Sequence, residues 1–239
     1  RGCPYRCIYC HFGHRNHRPF HHDMDRVERE LSWLLSRQFD CVHVADAVFD
    51  IDIAYAKDVL RTILKHNVCT SMFFYCSFLK LDDELASLFA QVQCQIGVGI
   101  QSTNPSVLKT IQRTLSPRLF KDIRPLLDKY HLNFYTDLIF GLPDDTPSSF
   151  ARSFDDTLGL HPAFVMLFPL TLINGTPLGD RSDAFGMRTY PATDIQQLDL
   201  QCDIEYENIG LHNTFTLDDL QRFDDAALAL FYFYNRFPY

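Results

Sequence analysis

The chain has 239 residues, 46% hydrophobic and 22% charged, which is the balance of a water-soluble globular domain with a sizeable core. A net charge of −8 without any Lys/Arg run disfavours a protein that tracks phosphates, so nucleic acid is not an expected partner. No apolar run reaches the roughly 18 residues a membrane span needs, and no signal peptide opens the chain; a cytoplasmic location is expected.

The opening, Arg1-Gly2-Cys3, lacks Met and falls where a strand would give way to a loop. The chain therefore reads as a piece of a longer protein whose first strand lies upstream. Eight Cys are present, and only Cys3, Cys7 and Cys10 cluster. Cys41, Cys76 and Cys94 stand in apolar, strand-like runs, where a free thiol acts as a small buried hydrophobe and points to a reducing compartment.

Strands are expected at residues 41–45, 71–76, 95–100, 133–140 and 163–168, nearly continuous in apolar character, as parallel strands covered on both faces are. Amphipathic helices separate them, with stripes at Val27, Leu31, Leu34 and Leu35, at Val59, Leu60, Ile63 and Leu64, and at Leu85, Leu88, Phe89 and Val92. Three later helices open on a capping residue followed by Pro: Asn104-Pro105, Ser116-Pro117 and Thr146-Pro147. Pro125 should kink or split the second of these.

Strand and helix in alternation give βαβ units and a parallel sheet. With the upstream strand the count is six, so the fold class is α/β, a partial, open (β/α)6 TIM-like barrel whose chemistry sits on loops leaving the C-terminal strand ends. The pattern breaks near Leu178. Residues 1–178 are read as the core and 179–239 as a C-terminal extension, loop-rich and acidic at first (Asp180, Asp183, Asp194, Asp199, Asp203). A final helix follows from Thr216, with Asp219 completing a capping box and Leu217, Leu220, Phe223, Leu228 and Phe231 forming its stripe. The run Phe231-Tyr232-Phe233-Tyr234 is expected to pack on the core or on a missing segment. Phe73, Phe74 and Tyr75 are expected in the core.

Cys3, Cys7 and Cys10 have the spacing C-x3-C-x2-C in a segment that Pro4 and Arg6 mark as a loop. Three thiolates so close can wrap one centre and leave the fourth iron of a cubane open to an external ligand. Zinc on Cys7, Cys10, His14 and His17 is the competing set, but it leaves Cys3 idle and lacks the usual finger spacing. A non-catalytic iron-sulfur or zinc-binding module is thus the alternative to an enzyme.

The octapeptide Cys3-Pro4-Tyr5-Arg6-Cys7-Ile8-Tyr9-Cys10 resembles the radical S-adenosylmethionine (SAM) signature. Gly99-Ile100-Gln101-Ser102, with Asn104, Val107, Leu108 and Arg113, resembles the fourth-strand segment of that superfamily. Residues 137–143, Asp-Leu-Ile-Phe-Gly-Leu-Pro, resemble the fifth-strand segment, and Asn174-Gly175-Thr176-Pro177-Leu178 the turn after the sixth. Within the superfamily the chain is most similar to cobalamin-binding-domain proteins with a C-terminal domain of unknown function.

The resemblance implies a [4Fe-4S] cluster on Cys3, Cys7 and Cys10 and reductive cleavage of SAM to methionine and a 5′-deoxyadenosyl radical, which takes hydrogen from a substrate. It implies that Tyr9 packs beside the cluster and that Gln101 and Ser102 face the ribose or carboxylate of SAM. Asp137 would face SAM or substrate. Ala45-Asp46-Ala47 holds the place of the family's Gly-Gly-Glu motif, with the glycines absent; Asp46 and Asp137 are the substrate-side candidates. Asp46 and Asp50 also have a structural reading, as loop or helix-cap carboxylates. Gly141 and Pro143 are read as loop-shaping. A small or ring-bearing substrate and an electron donor such as flavodoxin or ferredoxin are the expected partners. Cobalamin, and with it methyl transfer, would enter only through a domain outside these residues.

Overall fold

The computed structural model describes residues 2–235 apart from 16–17, 38, 67–69, 93, 116 and 191–208. His17, Ser116, Asp194, Asp199 and Asp203, named above, lie outside the described residues, as do two of the eight Cys, Cys69 and Cys202. Seven strands are described: β1 (Cys41–His43), β2 (Ser71–Tyr75), β3 (Cys94–Gln101), β4 (Phe134–Phe140), β5 (Phe164–Pro169), β6 (Met187–Thr189) and β7 (Gly210–His212). The first five form one sheet in chain order, β1-β2-β3-β4-β5, and β6 pairs with β7 in a second. The β1–β2 and β2–β3 ladders are parallel, with Cys41 opposite Ser71 and Met72 opposite Cys94.

By its internal contacts the chain falls into two compact units, the first of Arg1–Pro4, Asn16–Gly99 and Ser116–Tyr135, the second of Tyr5–Arg15, Ile100–Leu115 and Thr136–Tyr239. In the first unit, α2 (Met24–Leu35), α3 (Ile53–Leu64), α4 (Asp83–Gln91) and α6 (Pro117–Tyr130) pack in the pairs α2–α3, α3–α4 and α4–α6. The expected stripes supply the contacts: Leu31, Leu35, Val59, Leu60, Ile63, Leu85, Leu88, Phe89 and Val92 are all buried. Asp23, Asp52 and Asp82 cap α2, α3 and α4 by accepting backbone N–H groups.

Helix α6 runs unbroken through Pro125. One lost backbone hydrogen bond is tolerated there because Ile123 and Leu127, on either side of the proline, are buried. Two other expectations are corrected. Cys41 is exposed, because β1 is short and begins the sheet, and its burial alternates instead of closing on both faces. Tyr75 is 46% exposed whereas Phe73 and Phe74 are buried. Its ring packs edge-on to Phe73, and both lie against Gly97, where an added Cβ would come within 3.0 Å of Tyr75.

β4, whose residues from Thr136 onward belong to the second unit, alternates strictly, with Phe134, Thr136, Leu138 and Phe140 buried and Tyr135, Asp137 and Ile139 half-buried on the other face. Gly141 follows with φ +87, and a Cβ there would sit 2.4 Å from Leu211 of β7. Only glycine lets β4 turn under that strand, so the loop-shaping reading of Gly141 holds. Sequence periodicity did not show the β6–β7 pair, whose strands are three residues each. The final helix, α9 (Leu217–Ala229), opens on the expected Thr216–Asp219 capping box and packs on β5. Phe231, Tyr232 and Phe233, by contrast, are exposed, Phe233 at 90%, so the aromatic run does not pack on the core.

Candidate active site

The loop that carries Cys7 and Cys10 is pinned by the residue between them. Ile8 is fully buried among Val107, Ile111, Leu142, Leu170, Leu172 and Leu178. Both its backbone groups are used: its N–H donates to Ile111 O at 3.1 Å, and its carbonyl accepts from Leu178 N–H at 3.0 Å. Cys10 N–H closes a turn on Cys7 O at 3.1 Å. The short helix α1 (Phe12–Arg15) then crosses so closely that a Cβ on Gly13 would lie 1.7 Å from Tyr5 O. The turn at residues 173–178 packs on the same loop, with Gly175 (φ +80) facing His11.

Each of the two sulfurs has an N–H donor. Phe12 N–H points at Cys10 Sγ at 3.4 Å, and Arg113 Nη1 at Cys7 Sγ at 3.7 Å. Donors and a cation beside sulfur suit thiolate ligands of an iron-sulfur centre, so Cys7 and Cys10 fit the group the sequence implies. Cys3, the third expected ligand, is buried and belongs to the first unit. His14 Nε2 lies 3.2 Å from Cys7 O, engaged with backbone instead of sulfur. Among the described residues no three His, Cys, Asp or Glu groups converge as ligands of a single ion would; a cubane spreads its thiolates over separate irons.

Arg113 is placed by a helix ending. α5 (Pro105–Thr110) closes with Gln112 at φ +55, Gln112 N–H on Lys109 O (3.2 Å) and Arg113 N–H on Leu108 O (2.9 Å). This is the Schellman arrangement, in which a left-handed residue turns the chain and satisfies the last carbonyls. It aims the guanidinium at the loop, with Nη1 also 3.5 Å from the Tyr9 hydroxyl.

A cavity of about 820 Å³ opens within the second unit, lined on one side by Tyr9, Gln101, Asp137 and Ile139. Its remaining wall is β5, including Met166 and Phe168, and the C-terminal helical stretch, including Phe223, Phe231 and Tyr232. Its size and its mostly apolar lining with a few polar groups are those of a small-molecule site. Gln101, the last residue of β3, has φ +69, and its Oε1 is buried with no hydrogen-bond partner among the described residues. A strained backbone position whose polar side chain is left unsatisfied in a cavity wall is one that a ligand could satisfy. Asp137 has its carboxyl pushed up to about 6 by burial, with the Arg113 charge pulling the other way. Burial also raises the Tyr9 phenol, again opposed by Arg113.

Of the expected site residues, Tyr9, Gln101 and Asp137 thus share one cavity. Ser102 is not part of its lining: it is buried, lies 3.3 Å from Ser153 Oγ and accepts Asn104 N–H at 3.1 Å. Ala45, Asp46 and Ala47 follow β1 in the first unit, Ala45 exposed and the other two half-buried. Asp50 is buried and accepts the N–H groups of Ser77 and Phe78 at 2.7 Å each, so it has the structural reading: it braces the loop after β2. The cavity's β5 and C-terminal walls were not foreseen, because both segments read as core.

A cysteine loop beside a ligand-sized cavity, on a sheet of sequential βα units, suits an enzyme of α/β barrel type. The radical SAM superfamily model matches residues 1–157, and the chain belongs to that superfamily. It is 23% identical over 205 residues (80% of the chain, 30% of the relative) to 2-(S-pantetheinyl)-carbapenam-3-carboxylate methyltransferase of Streptantibioticus cattleyicolor. It is 25% identical over 207 residues, with the same shares, to the cobalamin-dependent radical SAM methyltransferase TokK of Streptomyces tokunonensis. The chain therefore spans about 30% of the length of these curated relatives. Among solved structures it is similar to the radical SAM methyltransferase TsrM from Kitasatospora setae with cobalamin and [4Fe-4S] cluster bound, with TM-score 0.74, 20% identity, 95% of this chain and 51% of that one. It is also similar to coproporphyrinogen III oxidase (HemN) from Escherichia coli, with TM-score 0.61, 16% identity, 95% and 50%. These likenesses show the α/β fold of the partial TIM-like barrel expected above. No described helix is long and apolar enough to cross a membrane.

Proposed function

We propose that this chain is the catalytic core of a cobalamin-dependent radical SAM methyltransferase acting on a small molecule. Membership of the superfamily makes it a radical SAM enzyme, with a [4Fe-4S] cluster and SAM as cofactors. Methyl transfer and cobalamin are the further step, supported by two curated methyltransferase relatives, one named as cobalamin-dependent. Cobalamin would be held by a domain outside these residues. We place the core at 1–178 and the extension at 179–239, with flavodoxin or ferredoxin as electron donor.

The observation that carries the reading is the loop at Cys7 and Cys10, each sulfur facing an N–H donor, in the same compact unit as the cavity of Gln101 and Asp137. Cys3, Cys7 and Cys10 would ligate the cluster. When bound, cluster and SAM supply the one-electron cleavage of the sulfonium bond that the sequence resemblance implies. The chain positions and excludes water. Gln101 Oε1 is free to accept a donor of the bound nucleoside, and Tyr9 closes the cavity beside the loop. Asp137, with its carboxyl near 6, can hold or release a proton at Oδ toward a ligand group. Ser102 fixes the strand end that presents Gln101. Ala45, Asp46 and Ala47 would serve the SAM amino group through backbone carbonyls and the Asp46 carboxylate.

Met166, Phe168, Phe231 and Tyr232 offer an apolar and aromatic wall that favours a ring-bearing substrate. The test is anaerobic reconstitution with iron and sulfide, then SAM, cobalamin and titanium(III) citrate. Formation of 5′-deoxyadenosine or S-adenosylhomocysteine is the expected result. A protein that binds about four irons yet yields neither product would end the proposal.

A further inference from the structure

The end of α5 fixes two things at once. Its Ile111 carbonyl accepts Ile8 N–H at 3.1 Å, holding the residue next to Cys7, and two residues on it launches Arg113. The guanidinium that results is partly buried, 3.7 Å from Cys7 Sγ and 3.5 Å from the Tyr9 hydroxyl. It is a permanent charge, since arginine does not deprotonate in proteins. The same charge acts on Asp137 in the cavity. The mechanism above gives it no task.

Taking up an electron makes a thiolate-bound cluster one charge more negative. A fixed cation beside a ligand sulfur stabilises that more negative state, and charge and hydrogen bonds at sulfur are what set cluster potentials. We infer that Arg113 is a positioning residue that raises the reduction potential of a cluster held on Cys7, easing entry of the electron from the donor, the step that must precede SAM cleavage. Lysine would preserve the charge but lose the fork that reaches sulfur and phenol together. The inference rests on the ligand reading for Cys7, and the experiment separates the two.

Wild type, R113Q and R113K are reconstituted anaerobically, their iron and sulfide counted, and each titrated against titanium(III) citrate with mediators while the reduced cluster is followed by electron paramagnetic resonance. R113Q is expected to keep its iron while its equilibrium constant for one-electron uptake falls roughly tenfold, about 59 mV for one electron. R113K is expected to recover most of that shift. A fully loaded R113Q that titrates with the wild type overturns the inference. Loss of iron from R113Q also overturns it, because Arg113 is then an assembly residue and not a tuning one. Absence of iron from the wild type defeats the ligand reading itself.

Discussion

Two carboxylates show how differently the two compact units treat buried charge. Asp50, in the first unit, is 1% exposed, yet its oxygens are held by the N–H groups of Ser77 and Phe78 and by the Ser77 hydroxyl. Burial lifts its proton affinity and those donors pull it back. Asp137, in the second unit, faces a cavity, and its carboxyl is pushed to about 6 with only the Arg113 charge opposing. A saturated carboxylate is a brace. One left poised over a cavity beside a strained glutamine is available to a ligand.

That contrast can be broken at four places. The largest effect is expected at the loop of the second unit: Gly13→Ala drives a Cβ into Tyr5 O, so iron bound after anaerobic reconstitution should fall below about a tenth of wild type (a loss worth over 1.4 kcal/mol) while the far-ultraviolet dichroism of the folded chain persists. Iron at the wild-type level would show that α1 can move aside at no cost. Next, Asp50→Ala strands two N–H donors and should cost about 3 kcal/mol, read from the urea midpoint, with iron content unchanged.

Asp137→Asn sharpens the comparison through pH. The folded-state pKa, about 6, lies above the unfolded value of roughly 3.9, so the folded protein keeps a proton that the unfolded chain has lost. Stability of the metal-free wild type should therefore fall as pH rises from about 4 to about 6, then level off, by on the order of 1–2 kcal/mol. The Asn variant should lack that slope; the same slope in both would assign it to other groups. The smallest effect is expected at the cavity's far wall. The Asn235 side-chain amide clamps the Val165 backbone, its Oδ1 accepting Val165 N–H at 2.9 Å and its Nδ2 donating to Val165 O at 3.0 Å, and Asn235→Ala should lower stability by about 1 kcal/mol and speed amide exchange at Val165.

The helices of the first unit were legible because each buries one face at a regular period, and β2 because its apolar run is continuous, with Met72, Phe73 and Phe74 all buried. Leu85, Leu88, Phe89 and Val92 announce α4 as plainly as Asp82 caps it. Asp137 was legible too, as a charge in an apolar strand. Its neighbours in the cavity were only half so: Gln101 and Ser102 are adjacent in sequence, but one lines the cavity and the other bonds Ser153, because the left-handed turn at Gln101 is a backbone property that no side-chain pattern reports. Arg113 belongs to a recognised segment, yet its task depends on the αL ending of α5, again invisible in composition. The β6–β7 pair joins residues far apart through three-residue strands, too short for periodicity to register. Aromatic runs mislead for another reason: Phe231 and Tyr232 are apolar enough for a core and serve as a cavity wall instead.

The most direct measurement is Mössbauer spectroscopy of the chain reconstituted without oxygen, compared with Cys7→Ser. A cubane spectrum whose site next to SAM changes on SAM addition, present in the wild type and lost in the variant with the barrel still folded, is the predicted outcome. A Cys7→Ser protein that keeps the full cluster, or a wild type that takes zinc and no iron, would contradict it.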